Sequence, residues 1–358
     1  MVRFRDDLTG LRPYIPGRGE REILAAYRLE AVVKLASNEC PTAPFPEVVA
    51  AISEAAASVN RYPETVYTEL GSAVGELVGV SAAHLWFGGG GAELLREMTL
   101  AVAGPGTSVV YPNPSFVVYE LATVISGATP IPVPLDENHR LDLDAMGAAV
   151  RHDTTLVFVC NPNNPTGTHV PTESVRRLLE SVPSSVLVVV DEAYLHYVDA
   201  SDYASMVPLV DQFENLVVLH TFSKVYGLAG LRIGYAVGQP ELINQLRRVQ
   251  LPFTANRLAQ VAASEAIRHQ DRVKELIAQN GAARTLLIDG LEARGVDVAD
   301  SQTNFVYCRL VGNPADLAEA LLQRGVIIRP TASDWMRVTV GTKEEIQRFL
   351  AAYDDATA

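Results

Sequence analysis

Cysteine is scarce. Only Cys40, Cys160 and Cys308 occur in 358 residues. Three scattered thiols cannot build a disulfide framework or a zinc cluster, and they read as small buried hydrophobes. Positive charge is the minority sign: 29 Lys and Arg stand against 42 Asp and Glu, a formal net charge of −13. So acidic a chain is a poor general ligand for nucleic acid or an anionic membrane, although it can hold a local basic pocket. Long apolar runs are missing too. Runs such as Val186–Val190 fall far short of the ~20 residues a membrane span needs. The opening MVRFRDDLTG has no apolar signal-peptide core, so a soluble cytoplasmic protein is expected. No internal repeat, low-complexity tract or helix-turn-helix module precedes the central region.

What is present is ordinary globular composition. Hydrophobic residues make up 48% and charged residues 20%, which excludes disordered and fibrous classes. At roughly 100–200 residues per domain, the length suggests two domains. Residues 1–45 hold Pro13, Pro16, Pro41 and Pro44 and read as an irregular arm lying on another surface. The stretch 46–59, PEVVAAISEAAASV, has helical spacing with Pro46 in its first turn. From about 85 to 240, short β-branched runs (SVVYP, LVFVCNP, VLVVVDEAY, LVVLHTFSK, RIGYAVG) alternate with helical stretches. That alternation predicts an α/β domain with a mostly parallel sheet sandwiched by helices. Residues 255–295 read as long helices. NFVYCRL, ADLAEALLQRG, VIIRP and MRVTVGT then form a smaller α+β C-terminal domain. The expected division is an arm at 1–45 packing with the small domain, a large domain at 46–250 and a small domain at 251–358.

Open α/β sheets bind ligands beyond the carboxyl ends of their strands, and five segments place chemistry there. Gly88–Gly91 and Ala92 open a helix, where exposed amides and the helix dipole favour a phosphate. In Asn161–Gly167, an Asn at a Pro-bounded turn can donate to an oxygen without adding charge. Asp191 ends the apolar run Val188–Val190, and a carboxylate at a core edge needs a cation; a protonated heterocyclic nitrogen suits it. Lys224, between hydroxyl and aromatic neighbours in Thr221–Gly227, is placed for desolvation, which lowers its pKa and favours Schiff-base chemistry. Arg232, eight residues later, can complete a phosphate cup with Ser223 and the glycine turn. Jointly these specify a phosphate site, an acid for a ring nitrogen, an Asn and a Tyr for a ring hydroxyl, and an imine-forming lysine. That describes pyridoxal 5′-phosphate (PLP) and its electron-sink chemistry; no metal is called for.

The same segments resemble the fold-type I PLP-dependent aminotransferases, and within them the histidinol-phosphate and aromatic amino acid aminotransferases. The resemblance runs from LRPYIPG at 11–17 and KLASNE at 34–39, through NRYP at 60–63, to NFV at 304–306, RP at 329–330 and RVTVGT at 337–342. SKVYGLAGLR at 223–232 is its most specific part. It implies a catalytic set of Lys224, Asp191 and Tyr194. Lys224 forms the imine and moves the proton, and Asp191 pairs with the ring nitrogen. Asn164 and Tyr194 bond the ring hydroxyl, and Phe116 stacks on the ring. Thr221, Ser223, Arg232 and the amides of Gly91 and Ala92 hold the phosphate. Tyr62 reaches the neighbouring subunit's phosphate, so a homodimer with shared sites is implied. Tyr14, Asn38, Arg329 and Arg337 fall to the substrate. Arg337 takes a carboxylate, or, with Arg329, the phosphate of histidinol phosphate, which has no carboxylate.

Two positions depart from the family pattern. Gly91-Ala92 replaces a Ser/Ala-Asp pair, so phosphate binding there falls to backbone amides. Cys40 stands where the second Asn of Asn-Glu-Asn-Pro is common, near the substrate entry. The implied reaction is transamination between a small-molecule amino donor, histidinol phosphate, and a 2-oxo acid acceptor, 2-oxoglutarate. The alternative is an aromatic amino acid aminotransferase, which Phe116 and Pro252–Asn256 also fit. A decarboxylase of the same fold is a third reading. A non-catalytic regulatory protein is argued against by the presence of Lys224.

Overall fold

The computed structural model describes residues 19–331 and 334–358 and, ahead of them, Val2, Arg5, Leu8 and Leu11. In chain order the strands are β1 (Val33–Leu35), β2 (Leu85–Gly88), β3 (Ser108–Asn113), β4 (Thr129–Pro134), β5 (Thr154–Cys160) and β6 (Leu187–Asp191). They continue with β7 (Leu216–Thr221), β8 (Gly234–Gly238), β9 (Asp297–Val298), β10 (Phe305–Arg309), β11 (Val326–Pro330) and β12 (Met336–Thr339).

Seven strands form one sheet in the order β2-β8-β7-β6-β5-β3-β4. β8 alone runs opposite to the other six strands. Every residue of β6 and β7 is buried, as a sheet covered by helices on both faces requires. Alternation divides the sheet between two cores. Val157, Val159, Val188, Val190 and Val218 face one cluster. Leu156, Phe158, Leu187, Val189 and Val217 face the other.

A second sheet has the order β1-β11-β12-β10-β9, with β1 parallel to β11 and the rest antiparallel. Its core joins Val306, Cys308 and Val338 to Leu287 and Phe349 from the covering helices. The arm, expected to be irregular, is ordered from Glu20: a helix spans Glu20–Tyr27 and β1 enters the small sheet. The reason is burial, since Ile23 packs with Ala36 and Ile327 in a cluster of its own.

The helix Arg257–Ile267 lays its alanines, Ala259, Ala262, Ala263 and Ala266, into the large-sheet core. The following helix, Gln270–Glu292, starts in that core at Val273 and ends in the small-sheet core at Leu287 and Leu291. No helix among the described residues is long and apolar enough to cross a membrane.

Candidate active site

A cavity of about 990 Å³ opens beyond the carboxyl ends of β6 and β7 and is walled on its far side by β11 and β12. Its chemistry divides into three ends.

The first end is built for an anion. β2 runs into Gly89 and Gly90, and a helix starts at Gly91. Gly90 has φ +97°, and a Cβ there would lie 2.6 Å from Arg232 Nη2; only glycine leaves room for the guanidinium. The amides of Gly91 and Ala92 sit in the helix's first turn, where N–H groups have no intrahelical acceptor. Arg232, itself left-handed at φ 59°, donates from Nη1 to Ser223 Oγ at 3.3 Å and to the Ala229 carbonyl at 3.1 Å. Thr221 Oγ1 accepts the Ser223 amide at 3.0 Å. Two amides, two hydroxyls and a guanidinium form the donor set of a phosphate cradle, with nothing acidic required from Ala92.

The second end suits a protonated ring. Asp191 closes β6 with its side chain in the cavity wall and only 5% of the residue exposed. Its Oδ2 accepts the Tyr119 hydroxyl at 2.8 Å and its Oδ1 the Ala193 amide at 3.1 Å. Burial raises the Asp191 pKa, and these two donors together with the Lys224 charge pull it back. A cationic N–H in the cavity would complete that compensation. Lys224 lies across the Tyr194 ring, its Nζ 5.3 Å from the centroid. Desolvation brings the amine down to about 8, reinforced by Arg337 and opposed by Glu39 and Asp191. The Tyr194 hydroxyl receives the Asn38 side-chain amide at 3.0 Å, and burial raises its pKa. Phe116 lines the wall and meets Tyr119 edge to face at 5.8 Å. The set fits PLP: a phosphate cradle, a carboxylate for the ring nitrogen and an amine of lowered pKa share one cavity.

The third end carries positive charge. Arg329 on β11 and Arg337 on β12 are direct cross-strand partners, so both project to the same face. Arg337 donates to Asn164 Oδ1 and to the Ala36 carbonyl, each at 2.6 Å. A guanidinium only donates, so the Asn164 oxygen is fixed toward Arg337 and its NH₂ is the group left for the ring hydroxyl. Asn38, at φ 53°, ties its amide to Thr339 Oγ1 at 2.9 Å.

The structure therefore gathers Gly91, Ala92, Phe116, Asn164, Asp191, Tyr194, Thr221, Ser223, Lys224, Arg232, Asn38, Arg329 and Arg337 around one cavity. It does not bring Tyr62 there. Tyr62 is 77% exposed and stacks on Phe253 with centroids 4.3 Å apart. Tyr14 lies outside the described residues. Cys40 is a correction to its expected place at the substrate entry. Past the left-handed turn at Asn38 it faces a separate cavity of about 360 Å³ beside Tyr197 and Gly341, with its thiol 3.2 Å from Thr42 Oγ1. Tyr119 escaped the sequence reasoning, because nothing local distinguishes its hydroxyl from any other buried tyrosine's.

Comparison with known proteins agrees with this geometry. The family model for aminotransferase class I and II matches residues 30–352. An aromatic amino acid aminotransferase of Mycobacteroides abscessus is 41% identical over 98% of this chain and 97% of its own. A histidinol-phosphate aminotransferase of Halalkalibacterium halodurans is 39% identical over 100% and 98%. The crystal structure of histidinol-phosphate aminotransferase from Sinorhizobium meliloti, in complex with pyridoxal-5′-phosphate, superposes with a TM-score of 0.90 at 27% identity, covering 99% of this chain and 98% of that one. With the family model spanning nine-tenths of the sequence and the cavity supplying a place for each part of the cofactor, this chain belongs to the class I and II aminotransferases and is a PLP-dependent transaminase.

Proposed function

We propose that the enzyme transfers the amino group of histidinol phosphate to 2-oxoglutarate. The observation that carries this is the Arg329–Arg337 pair, set opposite one another at the end of the cavity away from the cofactor cradle. Two guanidinium groups on one face suit a dianionic phosphate better than a single carboxylate. The Halalkalibacterium relative's name supports the same substrate. A second reading, transamination of phenylalanine or tyrosine, is favoured by the Mycobacteroides relative's name and by Arg337, whose two-point anchorage aims a fork suited to one carboxylate.

In either case the residues divide the work. Gly91, Ala92, Thr221, Ser223 and Arg232 hold the phosphate of PLP, and Asn164 and Tyr194 hold its ring hydroxyl. When bound, PLP supplies the electron sink for charge developing at the substrate Cα. Asp191 keeps the ring nitrogen protonated. Lys224 Nζ, brought down to about 8 by burial, takes the Cα proton and would deliver it to the cofactor carbon, the shift that transamination requires. Asn38 fixes the Tyr194 hydroxyl, and Arg337 fixes Asn164 while meeting the substrate anion.

A cytoplasmic homodimer with shared sites is part of the proposal. The support for a dimer is the exposed Tyr62–Phe253 stack, with Val66 and Leu251, close to each in sequence, exposed as well; exposed apolar side chains of this kind suit a second copy.

The deciding experiment is a half-reaction. Holoenzyme is mixed separately with histidinol phosphate and with phenylalanine, and conversion of the cofactor to its amine form is timed by absorbance. Fast conversion by histidinol phosphate alone supports the first reading. Fast conversion by phenylalanine alone replaces it with the second.

A further inference from the structure

Behind the strand ends that carry Asp191 and Thr221 lies a buried polar chain that none of the roles above uses. Glu192 follows Asp191 and His220 precedes Thr221; they are 1% and 3% exposed. Side chains alternate along a strand, so Asp191 and Thr221 line the cavity while Glu192 and His220 do not. On the hidden face, His220 Nε2 lies 2.8 Å from Glu192 Oε2. The same oxygen accepts the Ser205 hydroxyl at 2.6 Å, and Oε1 accepts the Met206 amide at 2.7 Å. Across the ring, His220 Nδ1 is 2.9 Å from the hydroxyl of Tyr235, its direct partner on β8.

The hydrogen-bond pattern assigns the protons. Glu192 receives two fixed donors, the Ser205 hydroxyl and the Met206 amide, and a carboxylate that only accepts needs an N–H from His220 at its remaining contact. His220 then donates from Nε2. A second proton on Nδ1 would turn the Tyr235 hydroxyl into an acceptor and strand its buried hydrogen. The neutral ring, with Nδ1 accepting from Tyr235, satisfies every group.

A buried carboxylate network is a poor route to stability, because apolar residues of similar volume often serve as well. What it supplies is fixed geometry, and here that geometry falls on the cofactor site. The Glu192 amide donates to the Leu219 carbonyl at 3.0 Å, and its side chain grips His220, the next residue of β7. The two strand ends are thus joined twice, within two residues of each cavity-facing side chain.

We propose that Glu192 and His220 form a positioning pair for the cofactor site. They hold Asp191 and Thr221 at the spacing that the ring nitrogen and phosphate of one PLP molecule require, a role that rests on PLP occupying this cavity. The test titrates apo-protein with PLP and records the absorbance spectrum of each reconstituted holoenzyme at fixed pH. Glu192→Gln keeps shape and removes charge. His220→Leu removes the donor, and His220→Gln returns a donor near Nε2. Glu192→Gln and His220→Leu should weaken PLP roughly tenfold to a hundredfold, by analogy with the loss when an outer partner of a metal ligand is removed. They should also shift the balance between the protonated and unprotonated cofactor bands, and His220→Gln should recover most of both.

A purely structural pair would lower the melting temperature of the apo-protein and leave the PLP affinity and spectrum of the folded fraction unchanged. That result, or a His220→Gln variant no better than His220→Leu, overturns the proposal. Should His220→Leu not fold, Glu192→Gln decides alone: wild-type affinity and spectrum overturn it. Wild-type protein that binds no PLP would instead overturn the cofactor assignment, and this role with it.

Discussion

The guanidinium of Arg337 donates to the side-chain oxygen of Asn164 at 2.6 Å. One contact thus joins the small sheet to the turn after β5 and orients the amide assigned to the cofactor. Lysine cannot replace it, since a single ammonium cannot serve Asn164, the Ala36 carbonyl and a substrate anion in one plane. Arg337→Lys should lower kcat/KM by roughly tenfold to a hundredfold, the equivalent of about 1.5–3 kcal/mol for a hydrogen bond to a charged group. Most of that loss should appear in KM under steady-state kinetics. An unchanged KM would remove Arg337 from substrate binding.

Lys224 gives a pH prediction with a definite sign. Burial holds its amine at about 8, against an ordinary 10.5. Between those values the unfolded chain binds more protons than the folded one, so stability of the apo-protein rises with pH there. Below pH 8 the full cost of burying the charged amine is present, on the order of 3 kcal/mol. Apo Lys224→Met should therefore melt higher than apo wild type at pH 7, with the gap closing as pH rises from about 8 to about 10.5. A gap that stays constant over that range would sink the assignment. Lys224→Ala should abolish turnover while leaving the fold intact, read by circular dichroism and by activity.

Tyr119 donates to Asp191, the carboxylate proposed to accept a hydrogen bond from the protonated ring nitrogen. Burial already raises the Asp191 pKa, and Tyr119 lowers it. Tyr119→Phe should push it further up, because the buried carboxylate loses a hydrogen-bond donor to its charged form. The carboxylate is then lost at a higher pH as acidity increases, so the low-pH limit of PLP binding should move upward. PLP titrations across pH measure this directly, and an unmoved limit would contradict it.

Gly90 and Gly281 make a matched pair of alanine substitutions. At Gly90 a Cβ would meet Arg232 Nη2 at 2.6 Å and the backbone is left-handed. Gly90→Ala should displace the guanidinium and weaken PLP by roughly tenfold or more, one charge-assisted contact's worth. At Gly281, within the helix Gln270–Glu292, a Cβ meets nothing within 4 Å. Gly281→Ala should leave PLP affinity alone and raise stability by about 0.5–1 kcal/mol. Equal PLP affinity in both variants would argue against the cradle.

Shared sites can be checked by mixing two inactive proteins. If Tyr62 serves the partner's cofactor, Tyr62→Ala and Lys224→Ala subunits should complement. A mixed dimer then has one site with both residues intact, and activity should reappear on refolding the two together. No recovery, with mixed dimers demonstrated by sedimentation, would place Tyr62 outside the site.

Much of the site was legible in the sequence because it sits where strands end. Asp191 follows Val188–Val190, and Lys224 lies three residues after β7. Apolar runs and their terminal polar residues are local signals, and the parallel sheet that brings their ends together follows from the alternation of strands and helices. The glycine turn was readable for the same reason, since a helix start exposes amides whatever surrounds it.

Other features were decided only by the tertiary structure. Tyr119 finds Asp191 across 72 residues of sequence, and Arg337 finds Asn164 across 173. β1 leaves the supposedly irregular arm to pair with β11, and Cys40 turns away from the site that its sequence position suggested. The pair Glu192 and His220 shows the division most clearly. Strand alternation says that each points away from its cavity-facing neighbour, but their contact depends on which strand lies beside which. Local chemistry determines what a side chain can do; sheet order and the packing of the two cores determine which partner it meets.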